Sequence, residues 1–301
     1  MKKLFIGGGG RDVNLQWVKS AADSLDVPCE MIVVSPDPEP DLVWNLNSEL
    51  PLFNGRDLNC DATFLRYDVF SGLYGKSEFA NENAMGWHTV FSSYCEIAKL
   101  FMFNMELEPS SCGKLVMLKL AQEHGFNIPK TVVTNSKTHL DGLKNPASFI
   151  TKPAAGGSYC ISLDDALEQT VWEEGEEQEK VGACPAIMQE KLRYPEFRVY
   201  RIGESYFAYN INSETLDSRV DRQGSIIYLD IDTFPQDVLS NIKDLTTDIG
   251  CDFCAIDIKT DPDTKELVFL ELNNGPMFMG YDKTSGGKMA AEMVRYLIKN
   301  A

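Results

Sequence analysis

The sequence predicts a mixed fold in which a layered α/β domain precedes a larger α+β part. A short apolar run at residues 3–6 ends in four glycines, and apolar positions at helical spacing follow from Val13 to Leu25. Beyond Ser111, helical and extended patterns mix without strict alternation. The length of 301 residues accommodates about two domains.

Two further strands are predicted in the first domain. Met31–Val34 is an apolar run that a cluster of prolines at 36, 38 and 40 ends, and Thr63–Tyr67 has the composition of another strand. With residues 3–6 they supply the strands of an α/β layer. Residues 1–108 are therefore predicted to form this domain.

The second part is predicted to begin with a helix from Lys114 to His124, and Ile128–Pro129 then leads into a strand. Asp164–Trp172 is predicted to be a helix whose acidic continuation, residues 173–179, is a solvated loop. Further strands are predicted at residues 148–153, 185–190, 197–201, 206–211, 226–229, 253–258 and 267–272, and a closing helix at 287–299.

Charge and composition exclude several classes of protein. The chain has 45 acidic and 28 basic residues, a net charge of −17, so most of its surface would repel nucleic acid or an anionic membrane. No apolar run approaches the roughly 18 residues of a membrane span, and the N-terminal run is too short for a signal peptide. Eight scattered cysteines without such a signal indicate reduced thiols. We expect a cytoplasmic protein.

Three nucleotide or metal motifs are nearly present, but each lacks a required residue. Gly7 and Gly9 follow a strand as in a dinucleotide fold, but Asp12 stands where the third glycine belongs, which favours a turn with a ligand-facing role. Two Gly-Lys pairs, at 75–76 and 113–114, lack other residues of a phosphate-binding loop. Cys251 and Cys254 have no second pair, so the sequence predicts two small buried thiols instead of a zinc site.

Two acidic residues interrupt apolar strands near the C-terminus and form a sharper constellation. Glu271 and Asn273 are two apart, so one strand projects both from the same face. An antiparallel neighbour carrying Asp257 would complete a hard oxygen cluster suited to Mg²⁺. The turn-forming segment 261–265 predicts that the two strands form a hairpin. The alternative is that the carboxylates pair with Lys259 or with an arginine.

Oxygen-bound metal usually accompanies phosphates, which need cations of their own. Lys152 ends an apolar strand just before a glycine-rich loop, a position that directs an ammonium group and backbone amides at an anion. Lys114 is a second candidate, with a solvated surface lysine as its alternative.

Taken in order, these motifs resemble those of the ATP-grasp superfamily. The resemblance rests on Lys114 with the segment 125–131, on Lys152-Pro153 followed by Gly156-Gly157, on Gln189-Glu190-Lys191-Leu192, on Pro195-Glu196-Phe197, and on Asp257, Glu271 and Asn273. It implies a pre-ATP-grasp domain at residues 1–108 and an ATP-grasp domain at 109–301. The latter would have a small lobe at about 128–190 and a C-terminal lobe at about 191–301.

The resemblance also implies the roles of these residues. ATP would lie between the lobes, Lys114 and Lys152 would neutralise its phosphates, and Gly156-Gly157 would cover them. Gln189, Glu190, Lys191 and Leu192 would contact adenine, and Glu196 would bind ribose. Asp257, Glu271 and Asn273 would hold Mg²⁺, with Mn²⁺ as an alternative. Arg198 and Arg219 are the candidates for holding an acyl phosphate.

Within the superfamily, the segments around Glu196-Phe197-Arg198 and Asp217-Ser218-Arg219 are most similar to RimK-like glutamyl ligases and microviridin-type graspetide ligases. The implied activity joins a carboxylate to an amine or hydroxyl on an amino acid or peptide, through an acyl phosphate. The alternatives are an ATP-grasp kinase that phosphorylates a small-molecule hydroxyl, and a non-catalytic nucleotide-binding protein. Many relatives are oligomers, which implies a homodimer.

Overall fold

The computed structural model describes residues 1–34, 39–47, 50–71, 78–143, 145–154, 159–174, 180–213, 215–216 and 224–301. The strands of these segments are β1 (Leu4–Gly9), β2 (Cys29–Val34), β3 (Leu42–Val43), β4 (Leu52–Phe53), β5 (Arg56–Asp57), β6 (Ala62–Leu65), β7 (Thr131–Ser136), β8 (Phe149–Pro153), β9 (Ile161–Ser162), β10 (Glu173–Glu174), β11 (Lys180–Glu190), β12 (Arg193–Ile202), β13 (Ser205–Asn212), β14 (Ser225–Leu229), β15 (Phe253–Thr260) and β16 (Leu267–Asn273). The α-helices are α1 (Val13–Ser24), α2 (Ala80–Ile97), α3 (Lys114–Glu123), α4 (Lys137–Asp141), α5 (Leu163–Gln169), α6 (Gln236–Asp248), α7 (Met279–Asp282) and α8 (Lys288–Asn300).

The N-terminal layer is a parallel sheet with the strand order β2-β1-β6, beside helices α1 and α2. The predicted strand, glycine segment and helix are present, but β1 continues through three of the glycines to Gly9. Glycine is required at these positions because the neighbouring residues pack closely against them. A Cβ atom on Gly7 would lie 2.8 Å from the Leu65 side chain, and a Cβ atom on Gly9 would overlap Asp68. The glycines therefore let the strand continue between its two neighbours. A small antiparallel sheet, β3-β4-β5, adjoins this layer and was not predicted.

A second sheet forms around the long strand β11, which pairs with β7, β8 and β10. Helix α5 ends at Gln169, three residues before the predicted end. Residues 173 and 174, predicted to lie in a solvated loop, instead pair with β11 as strand β10. The start of the acidic run thus forms a strand, because the edge of β11 offers backbone hydrogen-bond partners that the local composition does not reveal.

The third sheet is antiparallel throughout, with the order β14-β13-β12-β15-β16. The predicted hairpin is its β15–β16 pair, and the predicted helices at the start of the second part and at the C-terminus are present as α3 and α8. Helix α6 was not predicted. In the turn, Asp261 accepts hydrogen bonds from the backbone amides of Asp263 and Thr264, each at 2.8 Å, and these amides lower the pKa of Asp261.

The two faces of the third sheet bury different partners. Val199, Ile256 and Phe269 lie on one face and pack against α3 and α6. Tyr200 and Ala255 lie on the other face, in a core shared with α1, α8 and the N-terminal sheet. This second face is the one that carries the polar residues considered below. The predicted division near residue 108 falls between α2 and α3 and stays a prediction.

The eight cysteines form no disulfide in the structure. All eight are free, and Cys251 and Cys254 are buried, as predicted. Burial raises the pKa of Cys254 well above its ordinary value. In the described part of the chain, no helix is long and apolar enough to cross a membrane.

Candidate active site

Three charged residues form a row across the third sheet. Arg198 on β12 lies directly opposite Asp257 on β15, and Asp257 lies directly opposite Glu271 on β16. Directly opposed residues on neighbouring strands project from the same face of a sheet. The row therefore brings one cation and two carboxylates together on the face that carries Tyr200.

A β-bulge aims Glu271 at this face. Asp257 pairs with Glu271, whereas the next residue, Ile258, pairs with Phe269, so Leu270 has no partner of its own. Without this extra residue, strict alternation would place Leu270 opposite Asp257 and turn Glu271 toward the buried core. The bulge keeps Phe269 in the core and places Glu271 on the polar face, together with Asn273 two residues later.

Asp257 is paired with Arg198, which is the alternative that its sequence context left open. The guanidinium Nη1 lies 3.2 Å from Oδ1 and 3.3 Å from Oδ2 of the carboxylate, and both side chains are largely buried. Burial alone would lower the pKa of Arg198, but the charge of Asp257 leaves it above its ordinary value. Glu271 is half-buried, and its side chain forms no hydrogen bond or salt bridge with the described residues.

The two predicted lysines approach this row from other elements. Lys152 is the penultimate residue of β8 in the second sheet. Lys114 opens α3 and donates from Nζ to the Pro153 carbonyl at 3.1 Å. Burial lowers the pKa of Lys152, Glu271 raises it, and Lys114 lowers it again. The ammonium of Lys152 thus lies within electrostatic reach of both Glu271 and Lys114.

Gln189 lies on the same face of the second sheet as Lys152. It is directly opposite Ile150 on β8, two residues from Lys152, and opposite Thr131 on β7. Its side-chain Nε2 donates to the Thr131 hydroxyl at 3.0 Å. The other amide atom, Oε1, is buried and accepts no hydrogen bond from the described residues. A buried acceptor without a donor is costly, so this oxygen is a candidate for accepting a hydrogen bond from a ligand.

The other predicted nucleotide contacts are engaged within the protein. Glu190 accepts from the Lys130 backbone amide at 3.1 Å and pairs with its ammonium at 3.2 Å. Lys191 donates its backbone N–H to the Ser148 carbonyl at 2.7 Å, and Leu192 follows between β11 and β12.

Glu196, the predicted ribose ligand, is buried on the polar face of the third sheet. It pairs with Lys259 at 3.2 Å, and the Lys259 ammonium also lies 4.5 Å from the ring centroid of Tyr194. Gly156, Gly157 and Arg219 lie outside the described residues.

Residues of the N-terminal layer hold the segment after Asn273 in place. The sequence did not predict these contacts. Arg66 forms a buried salt bridge with Asp12 and donates from Nη1 to the Pro276 carbonyl at 2.9 Å. The side-chain oxygen of Asn14 accepts from the backbone amides of Phe278 and Met279, each at 2.9 Å. Only long-range contacts reveal these roles, because nothing in the local pattern of Arg66 or Asn14 signals a partner more than two hundred residues away.

A cleft of about 210 Å³ opens beside this segment. Its lining joins the end of β6 and the residues that follow this strand, including Arg66 and Val69, to Phe103 and to Asn274-Gly275. Because Asn274 directly follows Asn273, the cleft adjoins one of the candidate metal ligands. The described segments contain no group of three or more His, Cys, Asp or Glu side chains placed to hold a metal, so a metal site here would depend on the amide of Asn273.

Comparisons with known proteins place the fold. No family model matches the chain. The α-aminoadipate–LysW ligase LysX of Sulfurisphaera tokodaii is 25% identical over 192 residues, which cover 61% of this chain and 66% of that ligase, just under two thirds of its length.

Two solved structures are similar over nearly the whole chain. The ATP-grasp ligase PsnB complexed with a minimal precursor has a TM-score of 0.71 at 19% identity, and the comparison covers 100% of this chain and 99% of that one. The macrocyclase MdnC of Microcystis aeruginosa MRC, bound with the precursor peptide MdnA, has a TM-score of 0.70 at 19% identity and covers 99% and 100%. The fold of this chain is therefore the ATP-grasp fold, as the resemblance of its motifs predicted.

Proposed function

We propose that the protein is an ATP-dependent ligase that joins a carboxylate to an amine or hydroxyl on an amino acid or peptide, giving ADP and phosphate. The observation that carries the proposal is the convergence of Lys152 and Lys114 on the face where Asp257 and Glu271 lie opposite each other. Two cations and two carboxylates in one site suit a metal-bound polyphosphate, because the lysines balance phosphate charge and the carboxylates bind the metal.

The nucleotide is proposed to lie between the second and third sheets. The buried Oε1 of Gln189 would accept from the exocyclic amine of adenine, which supplies the donor that this oxygen lacks. Backbone groups of Glu190, Lys191 and Leu192 would contact the base edge, and Glu196 would bind ribose. Lys114 and Lys152 would then lie along the phosphates, covered by the segment that contains Gly156 and Gly157.

The donor set of the third sheet fits a hard divalent cation. Asp257, Glu271 and Asn273 offer carboxylate and amide oxygens from one face, the ligands that Mg²⁺ prefers, and Mn²⁺ would accept the same set. When bound, the cation neutralises charge that develops on the phosphates during transfer. Besides the Asp257 oxygens that face Arg198, the Asn273 side-chain oxygen has a partner in the protein: it accepts from the Gly275 amide at 3.0 Å, and this bond fixes the orientation of the amide group.

The proposed reaction has two steps. A carboxylate oxygen of the substrate attacks the γ-phosphorus of ATP, the bond from that phosphorus to the β,γ-bridging oxygen breaks, and ADP leaves. The nitrogen of an amine or the oxygen of a hydroxyl then attacks the acyl carbon, inorganic phosphate leaves, and the nucleophile loses its proton. Arg198 and Arg219 are proposed to hold the acyl phosphate, because a planar guanidinium matches two oxygens at once.

A peptide is the substrate class that the similar structures favour. PsnB and MdnC are described with precursor peptides, and LysX is named for α-aminoadipate, an amino acid, and LysW. The cleft between β6 and Asn274-Gly275 is the proposed entrance for this substrate, because it adjoins Asn273 and is lined largely by apolar side chains such as Phe103 and Val69. The alternative acceptor is a small-molecule hydroxyl that is phosphorylated without further reaction.

The test measures ADP release and product mass together. The protein is incubated with ATP and Mg²⁺ and with pools of amino acids and peptides, and a matched reaction contains Lys152→Met. A product lighter than its combined substrates by one water supports the ligase. A product heavier by one phosphoryl group would establish the kinase, and absence of ADP release with every pool would favour the non-catalytic alternative.

A further inference from the structure

Arg198 lies against two tyrosine rings as well as against Asp257. Its guanidinium carbon is 5.4 Å from the ring centroid of Tyr200 and 5.3 Å from that of Tyr281. The two rings are themselves 5.6 Å apart, centroid to centroid, and meet at an interplanar angle of 60°. The cation and the two rings therefore form a nearly equilateral triangle, an arrangement in which both ring quadrupoles can attract the charge.

We propose that Tyr281 is a positioning residue that, with Tyr200, holds the guanidinium of Arg198 toward the reacting carboxyl group. This inference rests on the proposed ligase function, because it concerns how the proposed oxyanion-binding arginine is kept in place. Nothing in the local sequence signals it, since Tyr281 lies on α7, far along the chain from Arg198 on β12.

The first reason is that Arg198 has too few polar contacts to fix the position of its guanidinium group. Its salt bridge to Asp257 runs through Nη1, and its Nε is buried and donates to no oxygen of the described residues. Asp257 is also a proposed metal ligand, so a bound cation would compete with Arg198 for this carboxylate. The contacts with the rings of Tyr200 and Tyr281 are the ones that a metal does not remove.

The second reason is that both rings are themselves anchored. Tyr200 is fully buried, and its hydroxyl donates to the Met277 carbonyl at 2.6 Å. Tyr281 follows the segment that Asn14 of the N-terminal layer holds through the amides of Phe278 and Met279. The tyrosine pair thus connects Arg198 to the N-terminal layer by a chain of direct contacts.

Tyr281 is the better residue to test, because it is half-buried whereas Tyr200 lies in the core. Tyr281→Phe keeps the aromatic ring and removes only the hydroxyl. Tyr281→Leu keeps an apolar side chain and removes the ring. If Tyr281 served only to fill space, the two variants would differ in thermal stability and not in the behaviour of the arginine.

The first measurement is the Nε–H signal of Arg198 in a ¹H–¹⁵N spectrum of the full chain without ligands, assigned by its loss in Arg198→Lys. In the wild type and in Tyr281→Phe we expect a resolved signal that the ring currents shift from the position of exposed arginines. In Tyr281→Leu we expect this signal to broaden or to move to the exposed position. An unchanged signal in a folded Tyr281→Leu protein overturns the inference, and Tyr281→Met replaces that variant if it does not fold.

The second measurement is steady-state kinetics with the substrate that the mass assay identifies. Tyr281→Leu is expected to lower kcat about tenfold while KM for ATP changes less than twofold. Tyr281→Phe, which keeps the ring, is expected to have the kcat of the wild type. Equal losses in both variants would overturn the positioning role. If the wild type releases no ADP with any substrate, the proposed function fails, but the ligand-free spectrum still decides whether Tyr281 positions Arg198.

Discussion

Asp257 and Glu271 lie directly opposite each other on β15 and β16, and a one-residue bulge immediately beyond them is what makes this pairing possible. The bulge places both carboxylates on one face of the sheet while Ile258 and Phe269 remain in the core. Two acidic groups so placed repel each other unless cations lie nearby. Arg198 supplies one such cation in the structure, and Lys152 lies within electrostatic reach.

Replacing Glu271 by Gln tests its assignment as a metal ligand. Turnover should fall by orders of magnitude, because the amide retains the shape of the side chain but loses the charge that a divalent cation needs. The free energy of unfolding should change little, because the Glu271 side chain makes no hydrogen bond or salt bridge within the described part of the chain. The measurement is ADP release, with the exposed Glu168→Gln on α5 as the matched control. Near-normal turnover in Glu271→Gln would contradict the assignment of Glu271 as a metal ligand.

Lys152→Met tests the nucleotide site by thermal unfolding with and without Mg²⁺ and ATP. A ligand at about 100 times its dissociation constant stabilises the folded state by about 2.7 kcal/mol. At roughly 2–4 °C per kcal/mol, the wild type should gain several degrees. Lys152→Met should gain none, whereas the exposed Lys299→Met should behave as the wild type. A rise of equal size in Lys152→Met would contradict the proposed phosphate contact.

The lowered pKa of Lys152 also predicts a pH dependence without nucleotide. Burial favours the neutral amine in the folded state, whereas the unfolded chain keeps the ordinary pKa of 10.5. Between the folded and unfolded pKa values the unfolded state binds more protons, so the free energy of unfolding rises with pH in that window. Lys152→Met should lack this part of the rise. Chemical denaturation at a series of pH values up to 10.5 compares the two proteins, and identical slopes would contradict the prediction.

Gln189→Leu should separate stability from nucleotide binding. The variant loses the hydrogen bond to Thr131, but it also removes a buried oxygen that has no donor, so the free energy of unfolding should change by less than about 1 kcal/mol. Affinity for a non-hydrolysable ATP analogue should fall about tenfold, which corresponds to one lost hydrogen bond in a desolvated site. Calorimetric titration measures this, with the exposed Gln122→Leu as control. Unchanged affinity would remove Gln189 from the proposed site.

Arg198 and Asp257 should be strongly coupled in stability. Arg198→Met leaves a buried carboxylate without its guanidinium partner and should cost about 3 kcal/mol. Adding Asp257→Asn to this variant removes the uncompensated charge, so the double variant should be more stable than Arg198→Met alone. Denaturant unfolding of the single and double variants gives the coupling free energy. Additive effects would show that the pair contributes nothing specific.

Filling the cleft should weaken the binding of the peptide or amino acid substrate and leave the binding of ATP unchanged. Val69 is half-exposed at the lining of the cleft, so Val69→Trp would occupy part of its volume. The KM for the peptide or amino acid substrate should rise several-fold, and ATP affinity should stay as in the wild type. Val43→Trp, at an exposed position outside the cleft, is the control. An unchanged KM for every substrate would exclude this entrance.

The order of the motifs, by its resemblance to the ATP-grasp superfamily, predicted the fold, and local patterns predicted the arrangement of several residues of the candidate site. Strand periodicity correctly placed Glu271 and Asn273 on one face, because side-chain direction within a strand is a local property with a period of two residues. Turn residues likewise predicted the hairpin, and the residues around Lys152 predicted the strand that ends there. Each of these inferences depends on neighbours only a few residues away.

Other features were decided only by the tertiary structure. The bulge after Asp257, the salt bridge of that residue to Arg198 and the contact of Arg198 with Tyr281 all join segments that are distant in the chain. A local pattern cannot state which of several cations will neutralise a carboxylate, because the answer depends on register and on which faces the core buries. The sequence therefore determined which chemical groups are present, and packing between the sheets determined which of them meet.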